Sequence, residues 1–322
     1  MNRVISRRNA LAGAAGAVLA ASQGEGAQGL QTRVLGRTRI NATIIGMGCG
    51  ESWWKVSVEE PAARATLELA FEQGIRYFDT GQTYGKGISE TWVGNALGSR
   101  RNEVVLATKI STRDGDEALR ETENSLRRLK TDRIDILHIH NLRHADDLTA
   151  IEKPGGLLKA VYRLRDEKVA RFIGITSHTD PVTLKNALER HDFDCVQMAL
   201  NAAMQGHYEG YTSRPGHSFE SIALPVAQAK NLGILTMKTT GREQLIGTEA
   251  SKASAQDLIS YALSLPIAVA VVGLGVANHV RENAELARRF KPLSREQMDK
   301  LAGRVASQRA ALHGFFRHHL DV

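Results

Sequence analysis

Long hydrophobic runs are missing from this sequence of 322 residues. A membrane-spanning helix needs roughly 18 consecutive apolar residues, and the richest stretch, Ala10–Ser22, is shorter and mostly Ala and Gly. A transmembrane helix is therefore excluded. Cysteine is scarce as well. Cys49 and Cys195 allow one disulfide at most, and neither stands at metal-ligand spacing, so no metal site is expected. Charge of one sign is weak: 42 basic residues face 35 acidic ones, a net of +7. The basic residues scatter along helical patterns such as Leu119–Lys130 instead of forming runs, which argues for solvated helix faces and against a nucleic-acid surface. An anionic small molecule remains compatible with that balance. What is present, 42% hydrophobic and 24% charged residues, is the mixture of a globular protein with a sizeable core, and it excludes collagen, coiled coil and wholesale disorder.

Only the N-terminal stretch departs from this mixture. Met1–Ser6 is a short basic opening, Arg7-Arg8 follows, then a weakly apolar Ala/Gly core and small residues from Ala20 to Ala27. That is a signal-peptide plan. Paired arginines before a weak, Gly-containing core resemble the twin-arginine signal that sends folded proteins across the bacterial inner membrane. Residues 1–27 are thus expected to form an export signal read by the twin-arginine machinery. The mature protein is expected to be periplasmic or exported, and cytoplasmic if the signal is not functional. No cysteine follows the apolar core, so no lipid anchor is expected.

The body repeats one unit. Short β-branched runs at Ala42–Gly48, Ile75–Phe78, Val104–Thr108, Ile134–Ile139, Phe172–Thr176, Cys195–Met198, Ile234–Met237 and Ala268–Val272 alternate with amphipathic stretches. The latter are Pro61–Gln73, Ser89–Leu97, Glu117–Leu129, Leu157–Glu167, Val182–Glu189, Ser221–Lys230 and Ala255–Leu263, with a closing pair at Val280–Arg289 and Arg295–Leu312. Eight such units without a composition break predict an α/β fold, a single (β/α)8 barrel over residues 32–322, better than an open sheet. Thr32–Ile40, with Gly36 at a turn, reads as a hairpin plugging the barrel's N-terminal end. Cys49 and Cys195 then fall near opposite ends on non-adjacent strands, too far apart to bond. Two connections are long, Asn201–Ser218 and Thr239–Ser254, and both leave the C-terminal ends of strands, where barrel enzymes place their sites.

Asp79, Lys109 and His140 end the second, third and fourth strands, one polar side chain per repeat. Tyr84 lies at the tip of the loop after Asp79, where it can fold back over the same rim. An acid, a base, an imidazole and a phenol then face one cavity. When a carbonyl carbon receives a hydride, its oxygen needs a proton, and a phenol can supply one if a neighbouring ammonium stabilises the phenolate. Lys109, oriented by Asp79, fits that part, and His140 can direct the substrate oxygen. No nucleophile elbow or Cys–His pair competes.

These residues sit in motifs. Phe78-Asp79-Thr80-Gly81-Gln82-Thr83-Tyr84-Gly85-Lys86-Gly87-Ile88-Ser89-Glu90-Thr91-Trp92-Val93-Gly94, Leu106-Ala107-Thr108-Lys109 and Asp135-Ile136-Leu137-His138-Ile139-His140 resemble the signatures of the aldo-keto reductases. The resemblance runs from Thr32-Arg33-Val34-Leu35-Gly36-Arg37-Thr38 to Pro292-Leu293-Ser294. It implies a (β/α)8 oxidoreductase acting on an aldehyde, ketone or sugar carbonyl, or on the alcohol in reverse. Tyr84 would be the general acid, and Asp79, Lys109 and His140 its supporting set.

The resemblance also implies an extended nicotinamide dinucleotide. Thr176, Ser177 and Gln197 match the positions that hold the carboxamide, Met237 the place of a ring stacked on the nicotinamide, and Lys238, Thr240 and Gly241 the pyrophosphate neighbourhood. Gly273, His279, Glu282 and Asn283 fall in the segment that grips the adenosine. NADPH-preferring members often carry Lys and Arg where Gly273 and His279 stand, so both NADP(H) and NAD(H) remain open, with NADP(H) slightly ahead. Export of a folded chain would carry the dinucleotide with it. Two other readings stay open: a nicotinamide-binding regulatory module without turnover, and a redox-neutral sugar epimerase or isomerase on retained cofactor. The substrate pocket is expected to be walled by Trp53, Trp54, the Asn201–Ser218 loop and the tail Phe315-Phe316-Arg317-His318-His319.

Overall fold

The computed structural model describes residues 29–57, 59–206 and 217–319. The expected signal at residues 1–27 lies outside the described residues, as does 207–216 of the long connection. A two-stranded antiparallel sheet, β1 (Thr32–Val34) with β2 (Asn41–Thr43), precedes a closed parallel barrel. Its staves follow chain order: β3 (Ile45–Gly48), β4 (Tyr77–Asp79), β5 (Val105–Ile110), β6 (Ile134–Ile139), β7 (Ala170–Ser177), β8 (Cys195–Ala199), β9 (Gly233–Met237) and β10 (Val269–Gly273), which closes on β3. The outer layer comprises α1 (Glu51–Ser57), α2 (Glu60–Glu72), α3 (Ile88–Leu97), α4 (Gly115–Leu129), α5 (Ala145–Glu152) and α6 (Leu157–Asp166). It continues through α7 (Pro181–Arg190), α8 (Phe219–Ala229), α9 (Ala255–Ser264), α10 (Ala277–Arg289), α11 (Arg295–Val305) and α12 (Arg309–His318).

Helix boundaries follow local chemistry. Asp114, Asp180, Ser218, Ser254 and Ser294 each cap a helix by accepting a backbone N–H one turn on, and Ser218 and Ser294 complete reciprocal capping boxes. Two apolar cores result. One lies between barrel and helices; the other, with Leu35, Tyr77, Ile136, Leu235 and Val269, fills the barrel interior. Leu35 arrives there from the N-terminal hairpin, which plugs that end as expected.

Four expectations need correction. The hairpin's second arm is Asn41–Thr43, not the segment ending at Ile40, because a 3-10 turn at Gly36–Thr38 and a left-handed Arg39 (φ 59°) delay the reversal. The run Ala42–Gly48 therefore splits between two sheets at Ile44. Helices α1 and α5 were not anticipated; each is less than three turns long and too short for a periodic signal. The closing stretch Arg295–Leu312 breaks at a 3-10 turn, Ala306–Gln308, and the chain continues as α12 to His318.

Candidate active site

Strand alternation sorts the rim residues. In the parallel ladders Lys109 is opposite His138, His138 opposite Gly174, and Thr176 opposite Gln197. Side chains in register share a face, so these rows, with Asp79 bonded to Lys109 and Gln197, point into the barrel.

At the centre is the buried ion pair Asp79–Lys109. The Lys109 ammonium donates to Asp79 Oδ1 and, at 2.6 Å, to the Thr80 carbonyl. Gln197 Nε2 reaches Asp79 Oδ2 at 3.4 Å. Burial pushes the Asp79 carboxyl above its ordinary range, and Lys109, its hydrogen bond and His140 pull it back. The Lys109 Nζ lies 4.8 Å from the centre of the Tyr84 ring. His140 meets that ring edge-on, with centroids 5.8 Å apart at 85°, and its Nδ1 is 3.2 Å from the Ser111 hydroxyl. All four expected residues thus converge at one end of the barrel.

The loop that brings Tyr84 back is tightly anchored. Gly85, Lys86 and Gly87 are successively left-handed, at φ 58°, 55° and 94°. Behind them the Ser89 hydroxyl donates to the Cys49 carbonyl and sits 2.7 Å from Thr80 Oγ1. Glu90, fully buried, accepts from Thr108 Oγ1 at 2.6 Å and from Arg128 Nε at 2.7 Å. That ties the loop to the strand carrying Lys109. On the far side, α5 contributes Asp147, whose bidentate pair with Arg113 (2.6 and 2.8 Å) braces an arginine that also donates to the His140 carbonyl.

Beneath Lys109 is His138, with no exposure and no hydrogen-bond partner for either ring nitrogen among the described residues. Burial first, then Lys109 and His140, hold its pKa well below the usual histidine range, so it is a neutral imidazole. It fits because residue 174 is glycine: a Cβ there would stand 2.4 Å from His138 Nδ1. Nothing in the sequence marked this histidine apart from its place inside a motif.

From Asp79 and Tyr84 a groove of about 1040 Å3 runs across the barrel mouth to α10. Gln197, Met237 and Lys238 line its inner part; Thr240 and Gly273 follow; His279, Glu282 and Asn283 close the far end. Thr176 is buried beside Gln197. Among the buried acceptors without a partner in the described residues are Thr176 Oγ1 and Gln197 Oε1 toward one end and Asn283 Oδ1 at the other. Buried polar atoms of this kind call for a ligand or solvent partner. Two expected contacts do not converge. Ser177 points to the helical layer, its hydroxyl donating to the Leu142 carbonyl at 2.7 Å, because strand alternation puts it opposite Thr176. The Gly241 N–H is taken up by the Lys238 carbonyl at 2.9 Å. Trp53, expected in the pocket wall, is core: it is fully buried, edge-on to Trp92, and bonded through Nε1 to Thr66.

The groove also has lining that the sequence did not reveal. Ser52 and Lys55 come from α1, and Glu51 at its start pairs with Arg242, 2.6 Å away, which arrives from the loop after β9. Helix α1 presses so closely on β10 that a Cβ at Gly273 would stand 1.9 Å from Ser52 Oγ. A side chain there would have to displace Ser52.

The family model for the aldo/keto reductases matches residues 44–258, more than half of the chain, so this protein belongs to the aldo/keto reductase family and is an NAD(P)-dependent oxidoreductase. An uncharacterized oxidoreductase, YqkF, of Bacillus subtilis is 27% identical over 308 residues, covering 84% of this chain and 95% of that protein. Among solved structures, the holo form of the aldo-keto reductase AKR11C1 from Bacillus halodurans superposes with a TM-score of 0.69 at 22% identity, covering 90% of this chain and all of that one. An aldo/keto reductase from Klebsiella pneumoniae in complex with NADP and acetate gives 0.65 at 23% identity, covering 85% and 95%. The partnerless acceptors at both ends of the groove suit an extended ligand with an amide at one end and an adenine at the other, so the residues fit a nicotinamide dinucleotide.

Proposed function

We propose that this protein interconverts an aldehyde, ketone or sugar carbonyl with the corresponding alcohol, using Tyr84 as the proton donor in the reducing direction. The observation that carries the reading is the Lys109 ammonium 4.8 Å from the Tyr84 ring centre, held by a buried carboxylate. A positive charge in a desolvated site stabilises the phenolate left when the proton departs. Asp79 keeps the ammonium oriented. His140 presents its ring to the same spot and orients the substrate oxygen. Thr176 and Gln197 would hold the carboxamide of the dinucleotide and Asn283 its adenine, while Lys238 and Arg242 flank the diphosphate. The bound dinucleotide supplies the hydride.

The two dinucleotides differ at the adenosine end. With Gly273 against Ser52 and His279 in place of an arginine, the cations left on the groove beyond Lys238 and Arg242 are Lys55, on α1, and Arg304, on α11. NADP(H) is kept slightly ahead on the neighbour solved with NADP, and the difference between the two is expected to be small. Residues 1–27 are proposed as a twin-arginine signal on the Arg7-Arg8 pair and the Ala/Gly core.

A panel of aldehydes, ketones and aldoses, scored with NADPH and with NADH against Tyr84→Phe, tests the reaction. Wild-type turnover of at least one carbonyl, lost by about 10²-fold or more in Tyr84→Phe with dinucleotide binding retained, is expected. Equal inertness of both proteins, each still binding the dinucleotide, would replace this reading with a binding module. Fractionation of cells carrying the full chain or one lacking residues 1–27 tests the address.

A further inference from the structure

The C-terminal tail touches two of the cations that border the groove, Lys238 and Arg242. Lys238 and Arg242 lie on the loop after β9, where the backbone is left-handed at Lys238 (φ 59°), Gly241 (φ 59°), Arg242 (φ 53°) and Glu243 (φ 68°). Such conformations are unfavourable for non-glycine residues and persist only where the surroundings impose them. From the groove side Glu51 pairs with Arg242. From the opposite side the tail closes in. The His319 ring nitrogens are 3.0 Å from Arg242, and its Nε2 is 3.5 Å from Lys238 Nζ. The Phe316 ring centre is 5.6 Å from Lys238 Nζ, and that of Phe315 is 5.7 Å from the Arg242 guanidinium carbon. Phe315 and His319 stack, with centroids 5.4 Å apart at 19°. The groove is lined by Lys238 and Arg242, with the aromatic group behind them.

We propose that Phe315, Phe316 and His319 are positioning residues for the two diphosphate-binding cations, so that the C-terminal tail sets the affinity for the dinucleotide. The proposal rests on the reading of this groove as the dinucleotide site. Two long basic side chains left free would sample many rotamers and repel one another, and fixing each costs side-chain entropy. Aromatic faces and a ring nitrogen orient cations without neutralising them. Glu51 supplies one opposing charge, so the pair stays net positive toward the groove. A diphosphate bridging two pre-aimed cations meets them already ordered.

The test uses the full chain and two probes, ADP and adenosine, titrated by calorimetry together with NADPH. His319→Ala is expected to weaken ADP and NADPH by about tenfold while leaving adenosine unchanged, and Phe315→Ala/Phe316→Ala is expected to do the same. His319→Gln, which keeps a polar atom near Arg242, restores part of the loss. In an Arg242→Met background His319→Ala costs less for ADP than in the wild type, since only its contact with Lys238 remains. Equal weakening of ADP and adenosine by His319→Ala, or an undiminished effect in the Arg242→Met background, overturns the proposal. Wild-type affinity for ADP in all tail variants overturns it while leaving the dinucleotide site intact. Failure of the wild type to bind either ADP or a nicotinamide dinucleotide removes the functional reading itself.

Discussion

Lys109 spends two of its three ammonium donors on Asp79 and the Thr80 carbonyl, and its nitrogen sits 4.8 Å from the centre of the Tyr84 ring. Strand, loop and buried acid thus fix the position of one charge beside one phenol.

Removing that charge should cost rate without costing the cofactor. Lys109→Met is expected to lower kcat by about 10²–10³-fold. The pH profile of reduction should move, because the charge beside the phenol is gone, while dinucleotide affinity stays within about threefold of the wild type. Asp79→Asn should behave differently. It leaves an ammonium buried without its carboxylate, a loss of about 3–5 kcal/mol in folding stability. Steady-state kinetics, dinucleotide titration and denaturant unfolding of the two variants separate the effects.

His138 makes stability depend on pH with a definite sign. Its native pKa lies well below the ordinary value, chiefly through burial. As pH falls below about 6.5, the unfolded chain binds a proton at this position that the native protein refuses. Stability is therefore complete above that value and falls with decreasing pH, by up to about 1.4 kcal/mol per pH unit from this group. His138→Phe should remove that part of the slope. The same variant should match or exceed wild-type stability at neutral pH, since two partnerless ring nitrogens disappear. Chemical unfolding of both proteins between pH 7.5 and 5.5 checks the difference; parallel slopes would contradict the assignment.

Gly174 is the spatial condition for that histidine. Gly174→Ala places a methyl 2.4 Å from His138 Nδ1 and 3.0 Å from the Cys195 carbonyl oxygen. A loss of about 1–3 kcal/mol is expected. Combining it with His138→Ala should recover a large part of that loss, and the coupling is measured by a double-mutant cycle on midpoints of denaturant unfolding.

Cys49 and Cys195 are both free and fully buried, and burial pushes both thiols far above their usual range. Neither should react with a thiol reagent in the native state. Both should titrate after unfolding without reductant, including in protein recovered from an oxidising compartment; recovery of fewer than two thiols would show that a bond or adduct forms there.

Much of this was legible in the chain. Ile134–Ile139 forms as the pattern marks it, and the other seven staves are displaced by a residue or a few at their ends, as at Phe172–Thr176, which extends to Ala170–Ser177. The convergence of Asp79, Tyr84, Lys109 and His140 was readable because a barrel built of equal repeats carries equivalent strand ends to one rim. Ser177 misled because a motif position was followed where strand alternation decides the face. Trp53 misled because an aromatic pair beside a strand end reads equally as wall or core, and only the Thr66 hydroxyl and the Trp92 ring resolved it.

Periodicity, capping residues and the spacing of polar strand ends act over a few residues or one repeat. They determined the barrel, its order and the membership of the central cluster from sequence alone. The meeting of α1 with Gly273, the ring of His138 lodged against Gly174, and the tail behind Lys238 and Arg242 join segments far apart in the chain. No local pattern encodes such contacts. They exist because a closed barrel brings its first and last strands together and the packed C-terminal helices return the chain to the mouth, so only the tertiary structure decided them.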